Sequence, residues 1–189
     1  MESLLSFISS AMPLSKDDIQ LLKKVFTPIH MPAKSVFIKE GKTEQHLYFL
    51  ERGIVKGYKI NDGKVVIEHL VEANNFLASL DSFFSQTAAK EYFETITDCD
   101  LFKISKADFD LLKQSGDQWI GFIESITNES MRCKLERVND FQTLTAKERY
   151  LKFITKTPNL AANVSVENMA SYLGMEPQSL SRIRRQITF

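Results

Sequence analysis

Turn residues cut the middle of the chain, residues 35–105, at short regular intervals, and this excludes long helices there. The turns are Glu40-Gly41, Arg52-Gly53, Asn61-Asp62-Gly63 and Asn74-Asn75. Asn and Gly tolerate positive φ, so Asn61-Asp62-Gly63 is a strong hairpin signal. Between and after the turns stand SVFIKEG, HLYFLERG, IVKGYKI, KVVIEHLV, YFETITD and CDLFKIS. Short strands with glycine turns about every ten residues predict an all-β barrel or sandwich. Residues 76–92 interrupt the alternation. Phe76, Leu80, Phe83 and Phe84 suit a short helix packed within the β module. Such an interruption either carries a ligand site or is a plain crossover.

Helical periodicity flanks this module. Residues 4–12 suit a short helix. Ser15, with Asp18 three positions on, is a helix start, and Ile19, Leu22, Val25 and Phe26 form the apolar stripe behind it. Pro28 ends that helix and Pro32 keeps it from resuming. Ser105 is a good N-cap for a helix through FDLLKQ. Residues 117–141 contain no Pro and a single weak point, Gly121. Ile120, Ile123, Ile126, Met131, Leu135, Val138 and Phe141 recur on one face, which predicts one long helix. Its apolar face either packs on the β module or pairs with a second copy as a short coiled coil. Thr145 and Glu148 make a capping box for the next helix, with Tyr150, Leu151, Phe153 and Ile154 as its core face and Pro158 as its end.

Residues 166–187, VENMASYLGMEPQSLSRIRRQI, fit a helix-turn-helix. Val166, Met169, Ala170 and Leu173 share one helical face. Gly174 follows where a helix ends with positive φ, and Pro177 suits the first turn of the next helix. Leu180, Ile183 and Ile187 line its inner face. Gln178, Ser179, Ser181, Arg182, Arg184 and Arg185 remain for the outside. Gln can pair with adenine and Arg with guanine in the major groove, while Ser and Arg can hold phosphates. The plainer reading of this stretch is a two-helix hairpin with a solvated basic face.

Charge supports the DNA reading. The chain of 189 residues has zero formal net charge. Residues 143–189 hold seven basic and three acidic side chains, a net of +4, and the remainder carries −4. A basic C-terminal module on an acidic larger one fits DNA binding by the former. Cys99 and Cys133 form no Cys-x-x-Cys pair, and His30, His46 and His69 are scattered, so no metal site is expected. No apolar run reaches the ~20 residues of a membrane span. Residues 1–12 lack the basic start of a signal peptide, so a cytoplasmic location is expected. No nucleophile–base pair, carboxylate dyad or phosphate loop has a useful spacing, so no enzymatic activity and no cofactor are expected.

In this order the pieces resemble the Crp/Fnr family of bacterial transcription regulators. Glu40-Gly41, HLYFLERGIVKGY and Asn61-Asp62-Gly63 are similar to the glycine-turn pattern of its β-roll. LTAKERYLKFI and MASYLGMEPQSLSRIRRQI are similar to its DNA-binding end. The resemblance implies an α+β chain with an N-terminal cyclic-nucleotide-binding-like β-roll, a long dimerisation helix and a C-terminal helix-turn-helix. The corresponding divisions are residues 1–115, 116–142 and 143–189. It implies a homodimeric, sequence-specific regulator whose partners are double-stranded DNA with a palindromic operator, RNA polymerase and a small-molecule effector.

Two departures qualify it. The family's recognition helix runs Arg-Glu-Thr/Ser-apolar-small-Arg; here Ser179 and Arg182 match, Gln178 replaces the acid and Pro177 the first Arg, so a different operator is expected. The family's nucleotide cassette has Phe-Gly-Glu-Leu and then Arg-Ser/Thr. Here the effector-pocket positions hold Phe76, Leu77, Ala78, Ser79, Ala89 and Lys90. With no ribose-binding carboxylate and no phosphate-binding Arg, a response to cAMP is not expected. Many family members also continue into a β-hairpin wing, which has no counterpart before Phe189. The alternative function is a ligand-binding or protein-interaction module of the same fold that has no DNA binding.

Overall fold

A computed structural model describes residues 1–187; Phe189, on which the expectation of a missing wing rests, lies outside the described residues. The chain opens with α1 (Glu2–Ala11) and α2 (Lys16–Val25). Ser15 caps α2 as predicted: its hydroxyl accepts from the Asp18 N–H, and the Asp18 carboxylate accepts from the Ser15 N–H. The strands are β1 (Thr27–Met31), β2 (Val36–Ile38), β3 (His46–Arg52), β4 (Ile54–Asn61), β5 (Lys64–Glu72) and β6 (Asn75–Leu77). After α3 (Leu80–Ser85) come β7 (Tyr92–Thr95) and β8 (Cys99–Ser105).

They form two antiparallel sheets, in the orders β1-β8-β3-β6 and β2-β7-β4-β5. Two strands depart from the sequence reading. Pro28 reads as a break, yet it lies within β1. It is tolerated there because β1 is an edge strand bonded to β8 alone. Phe76 reads as helical but pairs with Phe49 in β6, and the helix starts only at Leu80.

Alternation along the strands builds two cores. Ile38, Tyr48, Leu50, Val55, Phe93 and Leu101 fill the space between the sheets. On the other face of the first sheet, Phe49 and Ile104 pack with Leu4, Ile8, Phe83 and Trp119. β3 is therefore buried on both faces, and its central residues read as an unbroken apolar run.

The remaining elements are α4 (Lys106–Gln114), α5 (Asp117–Thr143), α6 (Ala146–Lys156), α7 (Pro158–Asn163), α8 (Val166–Tyr172) and α9 (Pro177–Ile187). The long helix and the Thr145–Glu148 capping box stand where the sequence places them. Two expectations are corrected. Pro158 ends α6 but also opens α7, since a first helical turn needs no proline N–H. Leu151 is exposed, and the core face of α6 is Tyr150 and Phe153 with half-buried Ile154. These rings join Leu160, Met169, Ala170, Leu180 and Ile183 in a third core that reaches Ile54 of the roll.

The apolar face of α5 divides along its length. Ile123 is buried near the helix base, whereas Met131, Leu135 and Val138 are more than half exposed, at 56%, 61% and 52%. Glu136, near that stripe, accepts from Lys152 and Lys156 of α6 at 2.8 Å each. These hydrogen bonds hold its carboxyl at about 2, down from the ordinary 4.5. A depressed carboxylate stabilises the fold above its unfolded pKa and loses that effect as pH falls through the folded value. The urea-midpoint advantage of the wild type over Glu136→Gln should therefore hold at neutral pH and fade between pH 4.5 and about 2. An advantage that is constant with pH would contradict the pairing.

Candidate functional site

α8 and α9 are joined by a tight turn at Gly174, whose φ is +63°. A Cβ there would stand 2.6 Å from Cε1 of Phe141 in α5, so both backbone conformation and space demand glycine. Arg149 locks the turn from α6, donating to the carbonyls of Leu144 and Leu173 at 2.8 and 2.9 Å. Leu180 and Ile183 point into the core. Gln178, Arg182, Arg184 and Arg185 are exposed, and Ser179 and Ser181 are half-buried. Gln178, Ser179, Arg182, Arg185 and Gln186 line one open concavity. Ser181 and Arg184 do not line it and stand further round the helix.

The residues expected at an effector pocket do not share one face. Phe76 packs edge-on against Phe7, Phe49 and Phe122, outside the roll, and Ala78 joins that cluster. Leu77 and Ala89 lie in the interior. Strand alternation at β6 causes this division. Lys90 is exposed and Ser79 is buried.

What Ser79 meets is a carboxylate, Glu91. Burial raises the pKa of Glu91, but hydrogen bonds from His69 and Ser79 and the charges of His69 and Lys134 outweigh this and hold it below the usual range. Glu91 Oε2 lies 3.6 Å from His69 Nε2. Beside them on β5 is Glu68, paired with Lys59 at 3.0 Å. One ligand atom from each of Glu68, His69 and Glu91 falls within 4.8 Å of the others. Spacing along the sequence could not reveal this group, because Glu91 comes from beyond α3. It also depends on a β-bulge: Gly57 pairs with His69 and Tyr58 with Ile67, which leaves Glu68 as the extra residue. A bulge re-aims side chains that plain alternation would send to opposite faces.

The same segment of β5 carries the C-terminal helices. β5 is an edge strand of its sheet, and the Ile67 N–H donates to Ser171 Oγ of α8 at 2.9 Å. Arg137 of α5 donates to the carbonyls of Glu68 and Ile67 at 2.7 and 3.0 Å. Its guanidinium lies 4.7 Å from the ring centre of Tyr172 and 5.2 Å from that of Phe141. One side chain thus joins the roll, the long helix and the helix before the Gly174 turn.

Two antiparallel sheets rolled around an apolar interior, followed by a long helix, define a cyclic-nucleotide-binding fold. Residues 28–115 match the cyclic nucleotide-binding domain family. No curated protein matches the chain. Among solved structures it is similar to FixK2 from Bradyrhizobium japonicum, at 18% identity over 87% of this chain and 85% of that one, with a TM-score of 0.78. It is also similar to a protein from Eubacterium rectale described as a transcriptional regulator of the Crp/Fnr family, at 13% identity, 93% and 84% coverage and a TM-score of 0.71. A third is the c-di-GMP-responsive global regulator CLP of Xanthomonas campestris, at 15% identity, 92% coverage of each chain and a TM-score of 0.68. At these identities the likeness is one of fold, and it supports the resemblance to the Crp/Fnr family carried by the sequence motifs. Among the described residues no helix is long and apolar enough to cross a membrane.

Proposed function

We propose that the chain is a homodimeric, sequence-specific DNA-binding transcription regulator of the Crp/Fnr type, cytoplasmic and not responsive to cAMP. Its divisions are the sensor at residues 1–115, the dimerisation helix at 116–142 and the helix-turn-helix domain at 143–189. The observation that carries the reading is the outer face of α9, which presents Gln178, Ser179, Arg182 and Arg185 together. The exposed Met131–Leu135–Val138 stripe on α5 supports pairing with a second copy. Two recognition helices would then enter successive major grooves ~34 Å apart on a palindromic operator. Gln178 and Arg182 would read base edges, and Ser179, Ser181, Arg184 and Arg185 would hold phosphates or flanking edges. RNA polymerase is the partner through which such a dimer would act.

The absence of a cAMP response follows from charge. The place of the family's phosphate-binding Arg is taken by the uncharged, buried Ala89, so a cyclic phosphate would meet no countercharge from that position.

Selection of sites from random duplex DNA tests the reading. A palindromic motif is expected. No enrichment, with or without added effectors, would favour an interaction module that does not bind DNA. On the selected operator, Arg182→Ala should cost ~1–3 kcal/mol and relax preference at one base position per half-site. Arg185→Ala should instead weaken all sequences alike and reduce the salt dependence. Unchanged operator affinity in Arg182→Ala would overturn the base-reading role.

A further inference from the structure

We propose that Glu68, His69 and Glu91 bind a divalent first-row transition-metal ion, and that this ion is the regulator's signal. The second half of this proposal rests on the function proposed above; the first does not.

The donors are built for one another. The His69 ring stacks on Phe93, 5.7 Å between centres and 19° between planes. Gly57 opposite leaves it room, since a Cβ there would come within 3.0 Å of both His69 and the Phe93 ring. Ser79 also hydrogen-bonds the Glu91 carboxylate. The His69 and Glu91 side chains are 23% and 14% exposed, so an ion would be partly dehydrated but reachable. The bulge at Glu68 brings its carboxylate within 4.8 Å of the other two donors.

The chemistry of the set selects the metal. An imidazole with two carboxylates suits zinc, iron or manganese, whereas magnesium and calcium prefer oxygen alone. Metal–ligand bonds of about 2.0–2.2 Å put tetrahedral donors about 3.3 Å apart, with a fourth position left for water. His69 and Glu91 already stand at 3.6 Å. Glu68 has to swing inward, which means leaving Lys59. Two carboxylates match the charge of a divalent ion, and in its absence Lys59 and Lys134 supply the opposing charge.

The position supplies the coupling. The carbonyl of Glu68 holds Arg137, and the adjacent Ile67 N–H holds Ser171 of α8. Moving Glu68 to close around an ion therefore acts on the strand segment to which the long helix and the C-terminal helices are bonded.

Titration calorimetry of the chelator-treated full chain with zinc chloride tests the site, with manganese chloride second and magnesium chloride as control. One zinc per chain is expected, with no heat from magnesium. His69→Gln and Glu91→Gln should each weaken zinc binding by about a hundredfold, with circular dichroism unchanged; even loss of an outer-shell partner costs tenfold or more. Lys59→Met should tighten it severalfold by freeing Glu68, an outcome that misfolding cannot imitate. His30→Gln, which alters the exposed His30–Asp100 pair, should leave it unchanged. Zinc binding that survives both His69→Gln and Glu91→Gln, or that is abolished by His30→Gln, would overturn the site. Zinc should also shift operator affinity in the wild type and not in His69→Gln. Zinc bound at this site with operator affinity unmoved would overturn the signalling half. Absence of any operator would instead sink the DNA-binding reading and leave the calorimetric result intact.

Discussion

Trp119→Ala should lower the stability of the chain by about 3–5 kcal/mol, the range for deleting a large ring from a packed core. Trp119 sits at the base of α5 with no exposed surface. It packs edge-on against Phe122 and shares a cluster with Leu4, Ile8 and Phe26 from the N-terminal segment and Phe109 and Leu112 from α4. Losing it removes the ring that fastens the long helix to the outer face of the first sheet. For a chain of this size the expected fall in melting temperature is about 6–20 °C, read by circular dichroism. Trp119→Phe should cost visibly less, because a ring would still fill much of the space. A melting temperature unchanged in Trp119→Ala would mean that the base of α5 is not packed as described.

Local signals explain most of what the sequence disclosed about the fold. Ser15, Ser105 and Thr145 each cap a helix where a hydroxyl precedes an apolar-periodic run. Asn61-Asp62-Gly63 turns β4 into β5, with Asp62 and Gly63 both at positive φ. What was lost was set by tertiary context. Pro28 breaks a helix but is harmless on an edge strand, so β1 was invisible. Pro158 is a stop and a start at once, and only the packing of Leu160 separates the two meanings. Phe76 fits a helical stripe with Leu80, yet the pairing of β6 with β3 decides its conformation.

The two candidate sites differ in legibility for the same reason. The face of α9 is contiguous in sequence, so helical spacing alone groups Gln178, Ser179, Arg182 and Arg185. The Glu68–His69–Glu91 group is assembled across sheet topology and needs a bulge, and strict alternation would have sent Glu68 and His69 apart. Glu91 stands one residue beyond Lys90, the last of the cassette positions.

Arg137→Ala should show how the C-terminal helices are held. Two hydrogen bonds from its guanidinium reach carbonyls of β5, and its flat face covers Tyr172 and Phe141. Hydrogen bonds to charged groups contribute about 1.5–3 kcal/mol each, and a desolvated cation–π contact about 2 more. Against this stands the cost of burying the guanidinium, which lowers its pKa. The net loss should be about 2–4 kcal/mol, since the truncation also leaves the Glu68 and Ile67 carbonyls short of a donor. Lysine should restore only part, because a point charge cannot bridge two carbonyls and stack between two rings. The damage should be local. The Ile67 amide and those of α8 should exchange with solvent faster, because β5 and α8 separate there. The interior around Leu50 and Phe93, which Arg137 does not touch, should keep its protection. Trp119→Ala should show the opposite pattern, loosening α1 and α4 while leaving the Ile67–Ser171 bond protected. Uniform loss of protection across roll and C-terminal helices in Arg137→Ala would make the chain one cooperative unit. Selective loss would make Arg137 the joint through which a change at Glu68 reaches α8 and α9.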